Sequence, residues 1–201
     1  MSERTPVQLL DRSTGLLVDA TLIDGMSAAE VAAAEAVWKP FLDAQLKRLQ
    51  ITRDKWPQHR HWDWTGKSQD AEKCIAYRMF GIECQGEIQG MMLLITAGYN
   101  SRIVKITPLT YVHLLAAAPW NVPSIMGKGK TRYSLVGSVL VATAIHVSLE
   151  DELNGRIGLH SLPQSDDFYR TKCGMTDLGE DPVLHMHYFE MTPEQASDFL
   201  K

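Results

Sequence analysis

Apolar and polar positions alternate from Leu16 to Ile23, the two-residue period of a half-buried strand, and Asp24-Gly25 closes that run with turn chemistry. The period then lengthens. Ser27 and Glu30 stand at the spacing of a capping box ahead of an Ala-rich run, which predicts a helix ending near Gln50. Pro40 has no amide hydrogen and should split or kink that helix. From Arg53 to Asp70 neither period holds, and the polar, aromatic stretch carrying Trp56, His59, His61, Trp62 and Trp64 reads as a long loop. Two strand-like runs, Ala76 to Glu83 and Glu87 to Thr96, flank Gln85-Gly86 and predict a hairpin. A third, Leu109 to Ala118, stops at Pro119.

Beyond a loop bearing Gly and Lys, apolar residues recur at helical spacing from Leu135 to Leu153, with Asn154-Gly155 as the stop. Arg156 to His160 predicts a short strand, Gln164 to Lys172 a short helix ended near Gly174, and His185 to Glu190 a last strand. Thr192 and Gln195 cap a terminal helix with Pro193 in its first turn. This order of elements gives an α/β fold, a mixed sheet covered on its faces by helices. No internal repeat breaks it, and one domain over residues 1–201 is expected.

Composition narrows the function classes. A net charge of −4 without basic clusters argues against a nucleic-acid footprint. Cys74, Cys84 and Cys173 are widely spaced and odd in number, which disfavours a disulfide framework and fits a reducing cytoplasm. The first 24 residues carry acidic side chains where a signal peptide needs an apolar run, so neither export nor a membrane anchor is expected. His59 with His61 and His185 with His187 would each share a face if extended, but two ligands without a third at a fitting distance do not make a metal site, and no metal is expected.

The stretch from Tyr111 to Tyr169 runs strand, loop, helix, strand and short helix, and carries the segments YVHLLAAAPWN and GLHSLPQSDDFYRTKCGM. It resembles the GNAT superfamily of acyl-CoA N-acyltransferases, whose loop signature is Gln or Arg, two residues, Gly, one residue, then Gly or Ala. Arg132, Tyr133, Ser134, Leu135, Val136 and Gly137, continued by Ser138, fit that pattern with Leu135 in place of the first glycine. The likeness is close over the C-terminal half and limited to element order before it. It implies a central, mostly antiparallel sheet with helices on both faces, and acetyl-CoA or another acyl-CoA as cosubstrate. The diphosphate would lie on the amides of the Arg132 to Ser138 loop, where a helix N-terminus attracts anions. Leu135 still donates its amide; with a helical φ it would move the diphosphate one turn along. A rival register uses Gly127 and Gly129 with Lys128 and Lys130, but Ser124 stands where Gln or Arg belongs. Gly129-Lys130-Thr131 resembles the end of a nucleotide P-loop, and Ser124 in place of its first glycine rejects that reading.

The same resemblance assigns roles. Backbone groups of Leu115, Ala116, Ala117 and Ala118 would pair with the pantetheine arm like an added strand; the alanines equally suit close packing under a helix. Tyr169 stands at the family's acid tyrosine, positioned to protonate the leaving sulfur, and is also a plausible aromatic core residue. His113 would draw the amine's proton through water, with His160 in reserve, while a lone histidine in an apolar strand is also a common hydrogen-bonded core residue. The loop from Lys55 to Trp64 would lie over the acceptor side or be pinned to the core by its tryptophans. The expected function is therefore transfer of an acetyl group to a primary amine of a small molecule, peptide or protein. The alternative is a non-catalytic module of the same fold that binds a CoA derivative or a partner protein. A homodimer exchanging the last strand or its helix is a further expectation.

Overall fold

The structure is a computed structural model that describes residues 2–50, 52–53, 56–127 and 129–201. Lys55 of the expected acceptor loop and Lys128 of the rival glycine register lie outside the described residues. Among the described residues nine strands form one sheet in the order β6-β1-β2-β3-β4-β5-β7-β9-β8. They are β1 (Glu3–Asp11), β2 (Leu17–Asp24), β3 (Tyr77–Cys84), β4 (Glu87–Ile95), β5 (Thr110–Ala117), β6 (Tyr133–Ser134), β7 (Ile157–Ser161), β8 (Thr176–Glu180) and β9 (His187–Met191). The helices are α1 (Ala28–Arg48), α2 (Trp64–Ala71), α3 (Pro123–Met126), α4 (Val136–Glu150) and α5 (Pro193–Phe199). The sheet is mostly antiparallel; β5 and β7 run parallel, with Thr110, Val112 and the residue between facing Ile157 to Leu159. Among the described residues no helix is long and apolar enough to cross a membrane.

The chain divides into two compact units, residues 1–92 with 115–139 and residues 93–114 with 140–201, and β4, β5 and α4 contribute to both. In the first unit, the capping box of Ser27 and Glu30 starts α1 as the spacing predicts. Pro40 does not split this helix, which continues unbroken to Arg48. Burial of Trp38, Leu42 and Leu46 on one side, with the Trp38 indole donating to the Ile88 carbonyl at 3.1 Å, supplies the tertiary hold that outweighs the missing amide. The hairpin turns at Gln85 and Gly86 with φ of 54° and 78°, the pair of left-handed residues that a tight two-residue turn requires. In the second unit, Leu109, Val112, Leu140, Val141, Ala144, Ile145, Ile157 and Phe189 form a core sealed from solvent.

Several elements differ from the sequence reading. β1 is an additional strand: Leu9 is its single buried residue, so it lacks the apolar alternation that marks a strand. The expected loop from Arg53 to Asp70 contains a 3₁₀ turn over Gln58–His61 and helix α2, whose buried positions are Trp64, Ser68 and Ala71. Helical spacing is present there, but it is written in small and polar residues. β8 is a second additional strand, a half-exposed edge of sequence TDLGE. The expected helix from Gln164 to Lys172 is present over its whole span but irregular, a 3₁₀ turn over Pro163–Ser165 leading into a π-helical turn over Phe168–Lys172.

Candidate functional site

The loop ahead of α4 lies in the first unit and is fixed from three directions. Tyr133 and Ser134 pair with Asp11 and Leu10 of β1. The Arg12 amide donates to the Arg132 carbonyl at 2.9 Å, and the Arg132 amide to the Trp120 carbonyl at 3.1 Å. Beneath them lies Gln89, fully buried. Its Oε1 accepts from the Trp120 indole at 2.8 Å and from Asn121 Nδ2 at 3.0 Å, and its Nε2 donates to the carbonyls of Cys84 and Glu87 at 3.2 and 3.1 Å. Asn121 Oδ1 in turn accepts the Tyr133 amide at 2.9 Å. A satisfied amide network of this kind specifies one backbone shape, because any shift leaves a buried donor or acceptor unpaired. Burial and the neighbouring Cys84 push the Tyr133 phenol up to about 12.

The shape being held is a left-handed turn at Leu135, whose φ is 74°. Its carbonyl accepts the Val139 amide at 2.9 Å, so Leu135 is the residue from which α4 starts. A bulky side chain in this region costs roughly 1–2 kcal/mol relative to right-handed backbone, and glycine is the residue that reaches it freely. Leucine therefore occupies the glycine position of the loop pattern and takes the glycine conformation. The helical φ considered from sequence is not observed. The first-turn amides of Val136, Gly137 and Ser138 have no intrahelical acceptor by construction, and the α4 dipole adds positive potential at that end. Gly137 and Ser138 are half-buried and Leu135 is 45% exposed, so this end of the helix is open to solvent. The Arg132 guanidinium is occupied: it bonds Glu87 at 2.6 Å and lies 4.7 Å from the Trp120 ring centroid.

Strand β5 enters the same unit at Leu115. Ala116 and Ala118 are buried while Leu115 and Ala117 are half-buried. The Ala118 amide is committed to the Gln89 carbonyl at 2.8 Å. Ala117 and Pro119 line a small cleft of about 30 Å³ together with Trp38, Leu42, His59, Trp62 and Trp64. Glu35 also lines it, yet its carboxylate is fully engaged. It accepts the amides of Trp64 at 2.9 Å and Thr65 at 3.2 Å, the Thr65 hydroxyl at 2.6 Å, and pairs with Lys39 at 2.9 Å. Glu35 thus anchors the first turn of α2, with Asp63 capping at Gly66. Burial, reinforced by the neighbouring His61, lowers His59 from 6.5 to about 4, so its imidazole is neutral. The expected aromatic loop accordingly builds a cleft wall.

Tyr169 and His113 belong to the second unit. Tyr169 lies in the π-helical turn, 6% exposed, with its ring 5.2 Å from that of Phe168 and 5.8 Å from that of Phe189. Burial holds its phenol well above the ordinary range, so it stays protonated. His113 is half-buried on β5, its ring 6.3 Å from that of Tyr111. His160 is instead bound into a cluster invisible to sequence reasoning, because its members are scattered over 80 positions of unrelated spacing. Tyr111 Oη is 2.7 Å from His160 Nδ1, His160 Nε2 is 3.3 Å from Asp181, and Arg102 donates to Asp181 at 2.8 Å. Asp181 lies far below its ordinary value because Arg102 and the amides of Leu184 and Val183 bind it. Burial lowers His160 despite Asp181 beside it, and Tyr111 is pushed up to about 12, first by burial. Next to it, the buried Glu190 accepts from the Ser101 hydroxyl and, at 2.7 Å, from the Arg102 amide.

Neither histidine pair is extended. His59 and His61 sit in a 3₁₀ turn, and His185 has a φ of 53° and pairs with Glu180 while His187 pairs with Asp177. Among the described residues no group of three His, Cys, Asp or Glu side chains is disposed to hold a metal ion.

No family model matches the sequence, and no curated protein matches it. Solved structures do match. A GNAT-family acetyltransferase from Listeria monocytogenes is 13% identical, with 93% of this chain and 99% of that one aligned at a TM-score of 0.56. An aminoglycoside acetyltransferase in complex with coenzyme A and kanamycin is 17% identical over 90% of this chain and 99% of its own, at 0.54. An N-acetyltransferase from Thermoplasma acidophilum in complex with coenzyme A is 9% identical over 85% and 98%, at 0.54. The chain has the fold of the GNAT acyltransferases.

Proposed function

We propose that this protein is an N-acyltransferase that moves an acetyl group from acetyl-CoA, or the acyl group of another acyl-CoA, to a primary amine on a small molecule, peptide or protein. The observation that carries this reading is the left-handed backbone at Leu135. Holding a leucine there costs stability, and such strain is characteristic of positions where backbone shape serves a ligand. Two of the solved structures with this fold are complexes with coenzyme A, which is the same chemistry.

Acetyl-CoA supplies the thioester-activated acetyl group. The amides of Val136, Gly137 and Ser138 bind its diphosphate with the help of the helix dipole. The backbone of Leu115 to Ala117 aligns the pantetheine arm. His113 takes one proton from the amine through water, and Tyr169 returns one from its Oη to the departing sulfur, so that the proton count balances as the C–N bond replaces the C–S bond. The phenol is protonated at neutral pH, the state a proton donor needs.

Calorimetry with acetyl-CoA, followed by thiol-release assays over an amine panel, tests the reading; the absence of any acetyl-CoA binding would sink it. Binding without turnover on every amine would favour the non-catalytic module. Tyr169→Phe is expected to lower kcat about 100-fold while leaving the Kd for acetyl-CoA unchanged, and an unaltered kcat would remove Tyr169 from the chemistry.

A further inference from the structure

A second cavity of the first unit, of about 300 Å³, opens between α1 and the strands β2, β3 and β4. A cavity of about 150 Å³ takes up benzene, and small-molecule sites begin at roughly 300 Å³, so a bicyclic ring with a short chain fits. Ile23, Ala34, Trp38 and Trp120 are buried in its floor, while Ala33 and Val37 stand exposed at its lip. Both indole N–H groups are committed to the protein, Trp38 to the Ile88 carbonyl at 3.1 Å and Trp120 to Gln89 Oε1 at 2.8 Å. The floor therefore offers a guest apolar contact and no side-chain donor.

Every other polar side chain in the lining is a carboxylate: Glu30, Glu83 and Glu87. Two guanidiniums answer these three acids. Arg4 reaches Glu30 at 3.5 Å and Glu83 at 3.1 Å, and Arg132 reaches Glu87 at 2.6 Å, which leaves one negative charge unmatched. Glu30 spends Oε2 on the Ser27 amide and hydroxyl at 2.9 and 2.8 Å. Glu83 and Glu87 each engage Oε2 alone, and Oε1 of each has no hydrogen bond among the described residues. An oxygen with this spare capacity accepts most strongly from a charged donor.

We propose that this cavity is a binding site for an organic monocation, a protonated amine on a flat apolar body, separate from the phosphate loop. The body buries against Ile23, Ala34 and Trp38, and the ammonium donates to the spare oxygens of Glu83 and Glu87. A single positive charge matches the one carboxylate left unanswered. An anionic guest meets three carboxylates, and a neutral one gains the floor but leaves the two oxygens to water.

Tryptamine, the neutral tryptophol and the anionic indole-3-acetate share one ring system, and calorimetry on the full chain without any acyl donor compares them. Tryptamine should bind about 10-fold more tightly than tryptophol, and indole-3-acetate should not bind. Glu83→Gln and Glu87→Gln should each weaken tryptamine about 10-fold and leave tryptophol unchanged. Ala33→Trp sets an indole at the lip; Ala33 is exposed on α1, so the urea midpoint should stay in place while tryptamine binding is lost. Tryptamine bound no more tightly than tryptophol overturns the proposal, as does tryptamine binding undiminished by Ala33→Trp. Since no acyl transfer is read, either result leaves the acyltransferase reading standing, and failure of acetyl-CoA to bind leaves this site standing.

Discussion

The two units solve the same problem with different materials. In the first, a loop is tied down by neutral amides: Gln89 and Asn121 bridge Trp120, Ala118 and Tyr133. In the second, loops are tied by charged groups: Arg102 binds Asp181 beside His160, and Glu190 gathers Ser101 and Arg102. Amides keep the same hydrogen-bonding pattern at every pH, whereas imidazole and carboxylate change theirs. The loop proposed to hold a diphosphate thus rests on an amide network that acid does not rewrite.

The most damaging way to break this contrast is Gln89→Leu, which keeps volume but orphans the Trp120 and Asn121 donors and two carbonyls. Unfolding by urea should show a loss of about 4 kcal/mol, together with weaker acetyl-CoA binding. Acid comes next. His59 has an ordinary value of 6.5 and about 4 in the fold, so between those limits the unfolded chain binds more protons and stability falls as pH falls. The loss amounts to about 3 kcal/mol at pH 4. His160 is lowered as well and acts with the same sign. Urea midpoints at pH 7 and 4.5 should converge in His59→Gln and in His160→Gln; an undiminished acid loss in both variants would contradict the assignment. The smallest effect is Leu135→Gly, which relieves the left-handed strain and should raise stability by about 1 kcal/mol. Acetyl-CoA affinity should be unaltered, because the native backbone already has the shape glycine would give. A large gain in affinity would show that the leucine loop is compromised.

Elements with a strong period or a named cap were legible in the sequence: the capping boxes at Ser27 and Thr192, the Gln85-Gly86 turn and the strand β5. What escaped was written in weak chemistry. β1 and β8 are largely exposed, so they carry no apolar stripe, and α2 buries a serine and an alanine where periodicity looks for leucine. Around the candidate site the segment Arg132 to Ser138 was singled out by its resemblance to a loop pattern, but its conformation was not legible, since residue type at Leu135 argues against the φ it has. Gln89, Asn121 and Glu35 were missed because a buried amide or carboxylate has no local signature; its role depends on partners 30 or so residues away.

Strand β1 ends one side of the sheet apart from the two residues it shares with β6, so from Glu3 to Leu9 its outer edge has no ladder partner among the described residues. Such an edge invites another chain to zip along it. Pro6 stands in the middle of that stretch, without an N–H to offer. Intermolecular strand addition, and the fibrils that follow from it, are interrupted there by a residue that costs the native hairpin nothing.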